Sequence, residues 1–259
     1  MPFLDVNGAD TYYELSGAGA SPALMFSNSL GTNFKMWDPQ TEVLATKWKI
    51  LRYDTRGHGS SAVTPGPYTI SQLADDALTL LDRMEIAEVS FCGLSMGGLI
   101  GMELALRAPN RLRHLVLCNT APRIGSAETW NARIATVQEK GMSAVTEAVL
   151  ERWYTPEFRK RSPEQIQSTR EMLLHTSPDG YAACCVALRD VDLNAAISGI
   201  RVPTLVILGQ SDPVIPLSDG HSMAQRIPGA TCMELPVAHL SNVEAAEAFT
   251  QHLAAFLKQ

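Results

Sequence analysis

Six short, β-rich apolar runs recur along the chain with helical patterns between them: ALMF (23–26), KILRYD (49–54), VSFCGL (89–94), HLVLCN (114–119), TLVILG (204–209) and TCMEL (231–235). Strands that lack an alternating polar face are suited to burial on both sides, and strands separated by helices are suited to parallel pairing. The expectation is an α/β fold with a mostly parallel central sheet and flanking helices. Ahead of these runs, FLDV, the Asn7-Gly8 turn and TYYEL read as an antiparallel hairpin at one edge of the sheet. Segments 69–84 and 243–257 carry apolar residues at helical spacing, and the second predicts one closing helix.

Between about Ala121 and Arg201 the strand signal disappears. SAETWNARIATVQEKG, SAVTEAVLERWY and SPEQIQSTREMLLH read as helices, broken at Gly141, Pro156, Pro163 and Pro178. A mixed pattern interrupted by helices alone predicts a helical cap inserted at 123–199 into a core formed by 1–122 and 200–259. With 259 residues, 46% of them apolar, the chain is long enough to bury a large core.

The formal charge of −6 comes from acids scattered along the chain, and no Lys/Arg cluster is present to track phosphates or anionic lipid. Nucleic acid and membrane surfaces are not expected partners. The opening MPFLDVNGADTYYEL has no basic leader, and no run approaches a membrane span, so a cytoplasmic protein is expected. The five cysteines have no Cys-x-x-Cys spacing and read as reduced packing residues rather than zinc ligands or disulfide partners.

One polar residue stands out against this frame. Ser95, in Gly93-Leu94-Ser95-Met96-Gly97, lies where the run VSFCGL meets the helical pattern GGLIGMELALRA. A sharp strand-to-helix turn needs small neighbours, and it projects the hydroxyl from the sheet edge toward the free N–H groups of the new helix. A serine needs a base to remove its proton, and the base needs an acid to orient it. Asp212 follows the strand TLVILG, and His239 follows TCMEL just before the last helix, in the chain order serine, acid, histidine. Asp219, Asp190 and Asp192 compete with Asp212, which is favoured by its place directly after a buried strand. His58, His114, His175, His221 and His252 have structural explanations from their positions in a loop, a strand or helical segments.

At this point the sequence resembles the α/β-hydrolase superfamily over almost its whole length. SNSLGTN (27–33) resembles that family's loop after the third strand, and RYDTRGHGSS (52–61) its D-x-R-G-x-G-x-S turn, in which Asp54, Arg56 and Gly57 shape the chain. The resemblance implies an oxyanion hole made by the backbone N–H groups of Leu30 and Met96. Asn28-Ser29 stands where the family often has His-Gly.

Within the superfamily, CNTAPRIGSAETWNARIATVQEKGM (118–142) and YAACCVALRDVDL (181–193) resemble 3-oxoadipate enol-lactonases of aromatic compound catabolism, in the β-ketoadipate pathway. That likeness implies a small enol-lactone substrate carrying a carboxylate, opened through a serine acyl-enzyme with no metal or organic cofactor. Arg133, three positions after Trp130, is the expected partner of the carboxylate, with Trp130, Trp153 and Met36 lining an apolar wall. A general small-ester hydrolase or cofactor-free perhydrolase would use the same catalytic residues. A hydrolase-fold receptor would use the pocket to sense a ligand.

Overall fold

A computed structural model describes residues 3–17 and 22–259. Eight strands form one sheet: β1 (Phe3–Val6), β2 (Ala9–Ser16), β3 (Ala23–Ser27), β4 (Lys49–Tyr53), β5 (Val89–Leu94), β6 (Leu112–Cys118), β7 (Thr204–Gly209) and β8 (Thr231–Leu235). Their spatial order is β1-β2-β4-β3-β5-β6-β7-β8. β2 pairs antiparallel with β1 and with β4, and every pairing from β4 to β8 is parallel. The expected fold class is borne out, including the edge hairpin. All residues of β5 and β7 are buried, which is why these runs show no polar alternation.

Eleven α-helices accompany the described strands: α1 (Asp38–Leu44), α2 (Ile70–Arg83), α3 (Met96–Arg107), α4 (Ala127–Lys140), α5 (Ser143–Trp153), α6 (Pro156–Arg161), α7 (Pro163–His175), α8 (Pro178–Asp190), α9 (Leu217–Arg226), α10 (Ser241–Glu244) and α11 (Ala246–Phe256). The five from α4 to α8 fill the chain between β6 and β7. Gly141, at φ 73°, ends α4, a conformation that glycine adopts without steric cost. Pro156, Pro163 and Pro178 each open a helix, since a first-turn proline loses no intrahelical hydrogen bond.

The predicted closing helix is divided. Ala245 leaves helical geometry between α10 and α11, and the short α10 is held from outside. Asn242 Nδ2 donates to Met36 O at 2.8 Å, Gln40 Nε2 donates to Asn242 O at 2.8 Å, and the Glu244 carboxylate accepts the Ala238 N–H at 3.0 Å. Apolar periodicity alone does not report such distant polar partners. Among the described residues no helix is long and apolar enough to cross a membrane.

The chain passes from β3 outward to β4 and then back across β3 to β5. Ser27 of β3 lies opposite Gly93 of β5, so the loops leaving the carboxyl ends of these two strands adjoin. Such a reversal of strand order opens a crevice at that end of the sheet.

Candidate active site

Ser95 stands in the turn from β5 to α3 with φ 56° and ψ −112°, a strained conformation for a residue with a side chain. Its neighbours show why the turn excludes bulk. A Cβ on Gly93 would lie 2.1 Å from Gly97 O, and one on Gly97 would lie 2.3 Å from Ser27 O. The turn is fixed by its backbone: Ser95 N–H donates to Cys118 O at 2.9 Å, and Ser95 O accepts from Thr120 Oγ1 at 2.8 Å.

Asp212 leaves the end of β7 and His239 the end of β8. Their side chains meet, with His239 Nδ1 2.8 Å from Asp212 Oδ2, and both residues are buried. Asn119, just beyond β6, donates to Asp212 Oδ2 at 2.9 Å and to Ala238 O at 3.2 Å, while the Val214 N–H donates to Asp212 Oδ1 at 2.8 Å. Burial alone would raise the Asp212 carboxyl, but the neighbouring imidazole and the donated hydrogen bonds outweigh it and hold the group below its ordinary value. An ionised Asp212 then keeps the proton of neutral His239 on Nδ1 and leaves Nε2 free to accept one.

His239 and Ser95 line one cavity of about 250 Å³. No hydrogen bond joins the two side chains in this conformation, a common state of such pairs before substrate binds. Trp153 lies beside the imidazole, with ring centroids 6.2 Å apart. Ser29, Leu30, Ile124, Trp130, Tyr181 and Val214 contribute to the walls.

Several backbone amides around this cavity are committed. Ser29 N–H points at Met36 Sδ, Gly31 N–H donates to His58 Nε2 at 2.9 Å, and Gly97 N–H donates to Asn28 O at 3.1 Å. Among the described residues, Leu30 N–H and Met96 N–H have no such acceptor. Two unspent amides beside a serine suit an oxygen that gains negative charge. Asn28 braces this loop: its Nδ2 donates to Tyr53 O at 2.7 Å and its Oδ1 accepts Trp37 Nε1–H at 3.0 Å.

One expected pocket residue lies elsewhere. Met36 does not line the cavity; it is buried, with its sulfur accepting from Thr32 Oγ1 at 3.0 Å as well as facing the Ser29 N–H. Its thioether therefore packs against the Leu30 loop instead of the cavity wall. Trp130, Arg133 and Trp153 do line the cavity. Arg133 sits 5.9 Å from the Trp130 ring centroid, as their helical spacing implied, and its Nη1 donates to Tyr181 Oη at 3.2 Å.

Three residues at the site were not assigned a part in it from the sequence. Asn119 supports the acid, and its signal was only a polar residue after a strand. Arg152 lines the cavity one position before Trp153, at the end of α5. His58 was read as structural, yet it holds the residue following Leu30.

Burial pushes the His58 imidazole down to about 4 from 6.5, so at neutral pH its Nε2 is free to receive Gly31 N–H. His58→Ala is expected to lower kcat with little change in KM and to cost about 1–3 kcal/mol of stability, because the Gly31 donor is orphaned. His58→Gln, which can present an amide oxygen, should restore most of both. Between pH 6.5 and 4 the unfolded chain binds the imidazole proton first, so the native His58 loses the protein stability as pH falls, by about 3 kcal/mol in full. Asp54, pushed up to about 6 from 3.8 by burial, acts in the opposite sense because its folded form protonates first. The difference in acid unfolding between the parent and His58→Gln isolates the histidine contribution.

A second hollow, of about 480 Å³, adjoins the cavity and shares Gly125, Pro213 and Val214 with it. On the other flank the helical segment is fastened to the core. Leu240 N–H donates to Trp153 O at 3.1 Å, Thr155 N–H donates to the Glu244 carboxylate at 3.3 Å, and a Cβ on Gly57 would lie 2.7 Å from Gly180 Cα.

Comparison with known proteins agrees with this architecture. A family model described as alpha/beta hydrolase fold matches residues 22–246. The chain is 41% identical over 247 residues to 3-oxoadipate enol-lactonase 2 of Acinetobacter baylyi, covering 95% of this chain and 92% of that protein. The crystal structure of the enol-lactonase from Burkholderia xenovorans LB400 superimposes with a TM-score of 0.98 at 45% identity, covering 100% of both chains. A RutD protein of Pseudomonas syringae pv. syringae, provisionally named a carbamate hydrolase, is 31% identical over 243 residues, 92% of this chain and 94% of that protein.

Proposed function

The chain belongs to the alpha/beta hydrolase family, and within that family we propose that it opens a small enol-lactone bearing a carboxylate, 3-oxoadipate enol-lactone, to 3-oxoadipate in aromatic compound catabolism. It is a hydrolase with enol-lactonase relatives. The observation that carries the finer reading is the make-up of its cavity, which unites Ser95 and His239 with cationic side chains and no acidic one. The lactonase names of its relatives support the same substrate.

In the proposed reaction His239 Nε2 accepts the Ser95 proton as Oγ attacks the lactone carbonyl. The carbonyl oxygen becomes an oxyanion received by Leu30 N–H and Met96 N–H, while Asp212 stabilises the imidazolium. Collapse breaks the ring C–O bond, and His239 returns its proton to the departing enolate. That enol stays tethered to the acyl group and could reclose the ring, so its conversion to the ketone drives the sequence forward. A water deprotonated by His239 then attacks the acyl carbon and releases Ser95 and a carboxylate product.

The test is a substrate panel of the enol-lactone, simple neutral esters and a carbamate, run with and without a serine-directed covalent inhibitor. The expected result is highest kcat/KM on the enol-lactone, abolished by the inhibitor. A preference for simple esters or for the carbamate would overturn the proposed substrate, and inhibitor-resistant turnover would overturn the serine mechanism.

A further inference from the structure

Arg152 and Arg133 bring two guanidinium groups to a cavity with no acidic lining residue. Arg133 has a partner in Tyr181 Oη and a ring beside it in Trp130. Arg152 has neither. Its Nε is buried without a hydrogen-bond partner, and among the described residues its guanidinium enters no ion pair. Burial, and then the charge of Arg133, push the Arg152 group down from its ordinary value, yet guanidinium remains cationic at any working pH. A half-buried guanidinium without a charge partner is costly unless a ligand completes it.

Resting on the reading of this cavity as the hydrolytic site, we propose that Arg152 is its principal carboxylate-binding residue, its guanidinium taking the two oxygens of a substrate carboxylate and Arg133 supplying a second positive charge. A fork of two parallel N–H donors matches a carboxylate, and such charge-assisted pairs exceed neutral ones in strength. The position is also rigid. α5 ends at Trp153, whose carbonyl accepts the Leu240 N–H next to His239, and Thr155 is held by Glu244. Arg152 is thereby set at a fixed span from the imidazole, and a ligand anchored there presents its reacting carbonyl at a defined reach. The selected class is a short acyl compound with one carboxylate remote from the bond that breaks.

The experiment compares the parent with Arg152→Met, Arg152→Gln and Arg133→Met on three substrates. These are the enol-lactone, a p-nitrophenyl hemiester of a short dicarboxylic acid, and the p-nitrophenyl ester of the neutral monocarboxylic acid of equal length. Binding of adipate is measured by calorimetry in a Ser95→Ala background. Both Arg152 substitutions are expected to lower kcat/KM about 100-fold on the two acidic substrates, mainly through KM, and to leave the neutral ester within about twofold. They should weaken adipate binding similarly, and Arg133→Met should have the smaller effect in each assay. If Arg152→Met fails to fold, Arg152→Gln retains a polar side chain for the same comparison. Equal losses on acidic and neutral esters, unchanged adipate affinity, or a larger effect from Arg133 would each overturn the assignment. A parent that leaves the lactone intact yet prefers the acidic hemiester through Arg152 would sink the lactonase reading and uphold this one.

Discussion

Ser95→Ala is expected to yield a folded protein whose turnover falls about a million-fold, the cost of losing a serine nucleophile that acts with a histidine base. The structure separates the chemical role of this side chain from its architectural one. The hydrogen bonds that fix residue 95 run through its backbone, to Cys118 O and from Thr120 Oγ1, and alanine retains both. Alanine also meets the same backbone strain as serine at φ 56°, so the melting temperature should stay close to that of the parent. Single-turnover rates and thermal unfolding on the same preparations check the two halves together. Activity within tenfold of the parent would eliminate Ser95 as the nucleophile, whereas loss of folding would mean that its hydroxyl supports the turn.

Asp212→Asn is expected to reduce kcat about ten thousand-fold with KM little changed, as a carboxamide behind the base favours the wrong tautomer. An amide nitrogen facing Nδ1 has a hydrogen to donate, which places the imidazole proton on Nε2 and removes the acceptor that Ser95 needs. The same substitution should lower stability, because the carboxylate accepts from Asn119, Val214 and Ile215 as well as His239. Since Asp212 titrates below 3.8 in the folded state, it stabilises the fold above that pH and loses this contribution as pH falls through its folded value. The acid limb of the unfolding curve should therefore be shallower in Asp212→Asn. A variant with near-parental kcat would show that Asp212 does not orient the base.

The parallel strands and the strained turn were legible because each is written in contiguous residues: continuous apolar runs, and glycines spaced around Ser95. Asp212 and His239 were legible because each follows a strand in chain order. The likeness of 27–33 to a known loop singled out Leu30, and the structure adds which amides nearby are already used. Met36, His58, Asn119 and Arg152 were misread or passed over because their parts depend on partners brought in by folding. A thioether facing an amide, an imidazole accepting from Gly31 and a guanidinium with nothing opposite it leave no periodic trace. The break at Ala245 was hidden for the same reason, since Asn242 and Glu244 are anchored to Met36 and Ala238.

The fastening of the helical segment to the core also bears on how molecules arrive. A roof pinned at Trp153 and Thr155 on one flank, and by the glycine contact between residues 57 and 180 on another, does not swing upward without breaking those attachments. The neighbouring hollow shares Gly125, Pro213 and Val214 with the cavity, and none of its lining residues takes part in these attachments.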